Sequence, residues 1–225
     1  MRLVIASVKY ADCLAIALPA WLAVVPAHVL TVATSPEDHE SRQVAFAHGV
    51  TCVVTDAWTR TDPDCHVGRD ATFNLALGLD EALGLVPSDV RPPAHGELVG
   101  HVSADCVPFG AWPAEKAFKA DTIYGFWRHE CLTPRGLAGH MKGTIPLTQF
   151  PKLKNSHGWP IGYNQLFRYQ GQRFGSYPTA GKFDTDFSRG FLHREMRSEL
   201  YFLHLGPISV RENWAGRVIP TWGTA

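Results

Sequence analysis

The sequence predicts one α/β domain with a mostly parallel central sheet. In the first half of the chain, four short apolar segments alternate with segments of helical pattern, which is typical of parallel strands joined by helices. The 225 residues, 45% of them hydrophobic and 19% charged, suit a single domain with a sizeable core. Seven Trp and twelve Phe exclude a disordered chain. We therefore expect a Rossmann-like sheet, in which ligands bind beyond the carboxyl ends of the strands.

The first half predicts four strands and three helices. Ser35 as N-cap, Pro36 at the first helical position and acidic residues in the first turn predict a helix that stops at Gly49. Pro19 falls inside the first helical segment, where it is tolerated only at a kink or a helix boundary. The predicted elements, in chain order, are strand 2–8, helix 12–24, strand 27–34, helix 35–48, strand 50–55, helix 70–83 and strand 97–104.

The second half is less regular and is rich in Gly, Pro and aromatic residues. Its predicted elements are strands near 123–129, 163–169 and 200–205, and a helix over 185–196. No internal repeat or long linker interrupts the sequence. We therefore expect a single mixed α/β domain over 1–225.

The charges balance over the whole chain but not within each half. A formal net charge of zero disfavours a strongly basic, non-specific nucleic-acid binder. Residues 1–110 carry six Lys or Arg against thirteen Asp or Glu, whereas residues 111–225 carry fifteen against eight. The basic second half can meet phosphates, or the asymmetry can be an accident of packing.

The cysteines and one apolar run bear on the compartment. Prolines and a histidine interrupt the apolar run over 14–30, so we expect neither a membrane span nor a signal peptide. The odd number of cysteines and the absence of a CxxC pair favour a reducing cytoplasm over a disulfide scaffold or a zinc ribbon. These cysteines are Cys13, Cys52, Cys65, Cys106 and Cys131.

The common nucleotide-binding and hydrolase motifs are absent, since the sequence contains no GxGxxG, GxxxxGK[ST], HExxH or GxSxG. Three other segments are candidates for chemistry. The first, over 101–108, is an apolar strand that ends on Asp105. A carboxylate there suits a hard divalent cation that bridges phosphate oxygens. The same residue can equally cap a helix or a turn.

The second and third segments carry two carboxylates and a histidine. Asp184 and Asp186 stand at the predicted start of a helix, where they can cap it and complement its dipole. Alternatively, one of them is a general base beside an acceptor hydroxyl. His204 lies between two leucines at a strand end, as a core residue or as a ligand. Arg217 belongs to a tail that can contact phosphate or sugar, or can simply clasp the C-terminus.

Several of these segments recur in an order known from one family. They are the strand over 3–8, TSPED over 34–38, FNLAL over 73–77 with EAL over 81–83, SAD over 103–105 followed by VP, GYNQLF over 162–167, FD over 183–184, and His204. Together they resemble the glycosyltransferases of the GT-A fold, especially the small bacterial and phage-encoded enzymes of the family 2-like group. Ser103 stands where that group has the first Asp of its DxD element, and Phe183 where it has the Glu of its xED element.

The resemblance implies a GT-A fold in which 1–110 bind the nucleotide and 111–225 bind the acceptor. It implies transfer of a sugar from a nucleotide-sugar donor, a UDP-sugar before others, with Mn²⁺ or Mg²⁺ as the divalent cofactor. Asp105 and His204 would hold the metal, and Asp184, with Asp186 as the alternative, would be the catalytic base. Further donor contacts are expected from Ser7, Asp38, Asp56, Arg69, Ser103 and Arg217.

The acceptor and the function class leave alternatives open. The acceptor can be a saccharide, a protein or hydroxymethylated DNA, the last as in phage enzymes that modify DNA in the host cytoplasm. Because Ser103 and Phe183 replace acidic residues of the group, a non-catalytic binding or virion-associated protein on the same fold is the second hypothesis. A nucleotidyltransferase is the third hypothesis. Such an enzyme is expected to have a Gly-rich loop bearing Arg or Lys directly after the first strand, and this sequence offers little of that.

Overall fold

The described part of the chain folds around one eight-stranded sheet. The computed structural model describes residues 1–59, 74–152, 164–175 and 180–206. Its strands are β1 (Arg2–Ala6), β2 (Leu30–Thr34), β3 (Thr51–Val54), β4 (Leu98–Ser103), β5 (Cys106–Gly110), β6 (Thr122–Cys131), β7 (Asn164–Arg168) and β8 (His193–Leu205). Its helices are α1 (Ala11–Val24), α2 (His39–Ala47), α3 (Leu75–Leu83), α4 (Pro134–Met141) and α5 (Ala180–Arg189).

The sheet is mixed, and the expectation of a mostly parallel sheet is wrong. The strand order is β3-β2-β1-β4-β7-β6-β8-β5. Neighbours within β3-β2-β1-β4 are parallel, as are β6 and β8, but β7 is antiparallel to both β4 and β6, and β5 is antiparallel to β8. Parallel neighbours need a long crossover connection, usually a helix. The regular strand–helix alternation of the first half supplies such crossovers, and the second half lacks that regular alternation.

Six strands nevertheless point in one direction, namely β3, β2, β1, β4, β6 and β8. Their carboxyl ends therefore meet along a single edge of the sheet. We call this the carboxyl edge, defined by the residues that follow five of these strands: Ser7, Ser35, Thr55, Ala104 and Gly206. In α/β sheets this edge is where ligands bind.

The helices cover both faces of the sheet and bury two apolar clusters. α1 packs on one face, where its Trp21 is fully buried and its indole N–H donates to the Cys106 carbonyl at 3.1 Å. α3 and α5 lie on the other face with the buried rings of Trp58 and Phe167. A Cβ at Gly78 of α3 would collide with the Trp58 ring, so only glycine allows this approach. Within the described ranges, no helix has both the length and the apolar character needed to cross a bilayer.

Two of the predicted helices need correction. α2 begins at His39 with Asp38 as its N-cap, because the Asp38 carboxylate accepts the Ser41 N–H at 3.0 Å, whereas the segment from Ser35 forms a turn. The helix predicted over 185–196 has the wrong bounds: α5 spans Ala180–Arg189, and the residues from His193 onward form β8, which pairs with β6. The helix predicted over 12–24 is found as α1, with Pro19 inside it, which leaves a kink as the predicted alternative for this proline. The predicted strands are found with shifted ends, and the helix predicted over 70–83 is found as α3, although its first four residues lie outside the described residues. β5 and α4 were not predicted.

Candidate active site at the carboxyl edge

Asp105 and His204 meet at the carboxyl edge. Asp105 lies in the two-residue turn between β4 and β5, and its main-chain carbonyl accepts the Leu205 N–H at 2.8 Å. This bond and the pairing of Cys106 with His204 hold the turn against the end of β8. Both side chains are buried, and His204 Nε2 lies 3.2 Å from Asp105 Oδ2. Two residues that are 99 positions apart in sequence are thus brought into direct contact.

The hydrogen bonding of His204 defines which of its ring nitrogens carries a proton. Nδ1 lies 3.1 Å from the carbonyl oxygen of Gly206, and a carbonyl can only accept, so Nδ1 is the N–H. In the neutral imidazole Nε2 then presents a lone pair to the carboxylate of Asp105. Two lone pairs at 3.2 Å require a positive charge between them. That charge is a proton, as in an ion pair, or a metal ion.

Arg128 adds a second positive charge to this contact. It belongs to β6 and is only 6% exposed. Burial by itself would raise the pKa of the Asp105 carboxyl, but His204 and the charge of Arg128 outweigh burial and hold that pKa below its ordinary value. Asp105 is therefore a carboxylate at neutral pH. The sequence prediction missed Arg128, although an arginine inside an apolar strand is a signal, since arginine is rarely buried without a partner.

The donor atoms of Asp105 and His204 fit a divalent cation. Two ligands that each lie about 2.1 Å from an ion, on adjacent corners of an octahedron, are about 3 Å apart, close to the observed 3.2 Å. An imidazole that donates its other N–H to a main-chain carbonyl is also the usual arrangement of a metal-bound histidine. Among the described residues there is no group of three or more His, Cys, Asp or Glu side chains placed for a metal. A cation here would need further oxygens from water or from a phosphate ligand.

Asp38 ties together the loops that follow β1 and β2. Its carboxylate accepts from the Lys9 N–H at 2.6 Å, the Ser41 N–H at 3.0 Å, the Ser41 hydroxyl at 2.7 Å and the Thr34 hydroxyl at 3.1 Å. Ser7, fully buried, contacts Ser41 through the two hydroxyls at 2.8 Å. A carboxylate has about four acceptor sites, so these contacts occupy Asp38. Its observed role is local, and contact of Asp38 or Ser7 with a nucleotide stays a prediction.

Of the other expected donor contacts, the structure describes Asp56 and Ser103. Asp56 follows β3 and is exposed at the carboxyl edge, where its main-chain carbonyl accepts from the Thr59 N–H and hydroxyl, both at 3.0 Å. Ser103 is the last residue of β4 and is half-buried. Arg69 and Arg217 lie outside the described residues. Their roles stay predictions.

The side chains of Asp184 and Asp186 lie in different environments on α5. Asp184 is 6% exposed, and its carboxylate accepts the Thr185 N–H at 2.6 Å. Asp186 is 41% exposed and forms an ion pair with Arg189 at 2.8 Å, one helical turn away. The prediction that Asp184 begins the helix is wrong, because α5 starts four residues earlier, at Ala180, and places Asp184 in its second turn. The fold therefore buries one carboxylate and leaves the other on the surface.

Comparison with known proteins gives only remote likenesses. No protein-family model matches the chain, and no curated protein sequence matches it either. Among solved structures, a mycobacterial protein is similar with 13% identity over 74% of this chain and 52% of that chain, at a TM-score of 0.39. Glucosyl-3-phosphoglycerate synthase from Mycobacterium tuberculosis, in complex with Mn²⁺, UDP and phosphoglyceric acid, is similar with 13% identity over 74% and 55%, at 0.37.

A third similar structure is mannose-1-phosphate geranyltransferase from Thermus thermophilus, with 12% identity over 74% of this chain and 56% of that chain, at a TM-score of 0.33. The match thus spans only about half the length of each of these proteins. TM-scores below 0.5 do not establish a shared fold. These likenesses therefore carry no argument about what the chain does.

Proposed function

We propose that the chain is a GT-A-type glycosyltransferase that moves a sugar from a nucleotide-sugar donor to an acceptor hydroxyl. The observation that carries the proposal is the buried contact of Asp105 with His204 at the carboxyl edge. It joins the two positions at which the sequence resembles the metal-binding residues of that family. It also lies at the edge where α/β sheets bind nucleotides.

The donor side of the site would stabilise the leaving nucleoside diphosphate. Asp105 and His204 would hold Mn²⁺ or Mg²⁺, which supplies a Lewis acid for the phosphate oxygens. Arg128, close enough to act on the charge of Asp105, adds a fixed positive charge that a diphosphate would meet. Arg217 is the second basic side chain proposed for this task. Ser7, Asp38, Asp56, Arg69 and Ser103 are proposed donor contacts.

On the acceptor side, Asp184 is proposed as the general base. An acceptor hydroxyl has a high pKa and loses its proton to a carboxylate as its oxygen attacks the anomeric carbon. The new bond to carbon forms as the bond to the diphosphate oxygen breaks, and the electron pair leaves with the diphosphate. The Thr185 N–H holds the Asp184 carboxylate in one orientation. Asp186, already paired with Arg189 at the surface, is the alternative base.

The donor and the acceptor are proposed at the level of class. A UDP-sugar is the first donor to test, and the acceptor is a saccharide, a protein or hydroxymethylated DNA in the cytoplasm.

Part of the basic character of the second half is structural: the guanidinium of Arg168 donates to the main-chain carbonyls of Gly96, Glu115 and Phe118 at 2.7–2.8 Å. Ser103 and Phe183, which replace acidic residues of the family, favour a non-catalytic binding protein as the second candidate.

Thermal unfolding with UDP and Mn²⁺ tests the donor site. A ligand at about 100 times its dissociation constant stabilises the folded state by about 2.7 kcal/mol, so we expect UDP with Mn²⁺ to raise Tm and EDTA to abolish the rise. His204→Gln should abolish it as well. His129→Gln is the matched control, because His129 also binds a main-chain carbonyl, that of Phe150 at 3.1 Å. If UDP with Mn²⁺ raises Tm equally in the wild type and in His204→Gln, and EDTA does not affect the rise, Asp105 and His204 do not form a metal site.

A further inference from the structure

A buried glutamine connects β4 to the helix that carries Asp184. Gln165 belongs to β7, is fully buried, and pairs in register with His101 of β4. Its Nε2 donates to the main-chain carbonyl of Asp184 at 2.9 Å, and its Oε1 lies 3.4 Å from Nε2 of His101. The amide therefore bridges the strand that leads to Ser103 and the helix α5.

The direction of every hydrogen bond in this bridge is determined. The carbonyl of Asp184 can only accept, so the amide NH₂ of Gln165 must face it, and Oε1 must face His101. His101 then donates from Nε2, and the edge of its ring packs on Phe174 with the centroids 5.3 Å apart. Burial lowers the pKa of His101 to about 4, so the ring is neutral and its proton is fixed by this contact. Neither amide orientation nor tautomer has an alternative that satisfies both partners.

We propose that Gln165, oriented by His101, is a positioning residue for Asp184. The inference rests on the proposed role of Asp184 as the base. His101 lies two residues before Ser103, on the strand that ends beside Asp105, so the bridge ties the main chain at Asp184 to the donor side of the site. The reacting oxygen and the base must be aligned closely, since a misplacement of about 1 Å reduces turnover by about 10²-fold.

Apolar packing of α5 does not supply this alignment, and the guanidinium of Arg194 in β8 donates to the carbonyls of Ser188 and Arg189, at the carboxyl-terminal end of the helix and beyond Asp184. The helix rests on the sheet through Phe187, whose ring lies 5.1 Å from that of Phe167, and Phe191 packs beside it. Such contacts hold the helix on the face but depend weakly on direction, because the hydrophobic effect follows buried area. The hydrogen bond from Gln165 depends on both distance and angle. It is therefore suited to fix how far along the sheet Asp184 sits.

The test compares Gln165→Met with a control on the same strand. Methionine keeps the length and the apolar volume but cannot donate to Asp184. Asn164→Leu is the control, because Asn164 is also a buried amide, bonded to the main chain of Phe126 at 2.6 Å and not to α5. In UDP release from UDP-glucose with Mn²⁺, we expect Gln165→Met to lower kcat by about 10²-fold at unchanged donor KM. The control should keep kcat within a factor of about three.

A second readout does not depend on turnover. In Gln165→Met, α5 can open locally without the cost of breaking the hydrogen bond from residue 165. Amide hydrogen exchange over 184–188 should therefore be at least about 10-fold faster than in Asn164→Leu. Unchanged kcat or unchanged exchange in Gln165→Met would overturn the positioning role, as would an equal fall of kcat in both variants. If the wild type releases no UDP from any sugar donor, the proposed function fails, and the exchange rates alone decide whether the bridge holds α5.

Discussion

His101 and Asp80 are two buried titratable groups that we expect to act on stability in opposite directions. Burial lowers the pKa of His101 from 6.5 to about 4, in spite of the hydrogen bond with Gln165. Burial raises the pKa of Asp80 from 3.8 to about 6, although its carboxylate accepts the N–H groups of Phe174 at 2.7 Å and Gly175 at 2.9 Å. Both side chains are almost completely buried, so solvent screens neither charge.

Whether each group raises or lowers the free energy of unfolding at acidic pH depends on which state, folded or unfolded, binds its proton at the higher pH. The unfolded chain protonates His101 below pH 6.5 and the folded protein only near pH 4, so the free energy of unfolding falls as the pH drops through this window. At about 1.4 kcal/mol per pH unit, the loss is about 3 kcal/mol. The folded protein protonates Asp80 near pH 6 and the unfolded chain only near pH 3.8, so the free energy of unfolding rises as the pH drops. That gain is also about 3 kcal/mol.

Single substitutions separate the two contributions. In the wild type, the loss of stability from His101 and the gain from Asp80 nearly cancel between pH 6 and pH 4. Each variant keeps only one of these two contributions. Urea unfolding at half-unit pH steps is the assay for the wild type, His101→Gln and Asp80→Asn. Between pH 6.5 and pH 4, and relative to the wild type, His101→Gln should gain about 3 kcal/mol and Asp80→Asn should lose about 3 kcal/mol. Curves that stay parallel for all three proteins would refute the assignment of these ionisations.

Two further substitutions test the local contacts at the candidate site. Asp38→Ala should lower the free energy of unfolding by about 2–4 kcal/mol in urea, because it removes the α2 cap and one acceptor of the buried Ser41 hydroxyl; a loss under about 1 kcal/mol would contradict the network. Asp186→Asn should change stability by less than about 1 kcal/mol, because its ion pair with Arg189 is at the surface. UDP release by that variant should stay near the wild-type rate, and a loss as large as in Asp184→Asn would exchange the roles of the two carboxylates.

The first half of the sheet could be predicted because its elements are encoded locally. The apolar runs of β1 to β4 and the helical segments between them are visible within short windows of sequence, and a carboxylate after β4 is expected at the carboxyl edge. The cap of α2 was predicted wrongly because Ser35 and Asp38 are both good caps in isolation. Contacts from Lys9, in the loop after β1, and from Thr34, the last residue of β2, select Asp38.

The second half could be predicted only in part, because its elements depend on distant partners. The residues from His193 to Met196 were assigned to a helix, but they pair with β6, about seventy positions earlier in the chain. Arg128 and Gln165 were visible as polar residues within apolar strands. Their roles depend on Asp105 and Asp184, which only the folded sheet brings near. The contact of Asp105 with His204 was expected from the resemblance to a family and not from any local pattern.

UDP release from UDP-sugars distinguishes a glycosyltransferase from a binding protein on the same fold. The wild type, Asp184→Asn and Asp186→Asn are incubated with UDP-glucose, UDP-galactose or UDP-N-acetylglucosamine and Mn²⁺, with EDTA as the metal-free control, and free UDP is quantified. We predict metal-dependent release by the wild type and by Asp186→Asn, and a fall of about 10²–10⁴-fold in Asp184→Asn at unchanged UDP binding. Equal rates in the wild type and Asp184→Asn would rule out Asp184 as the base. No release by the wild type from any of these donors, or from GDP-, CMP- and dTDP-sugars, would show that the chain is not a glycosyltransferase of this kind.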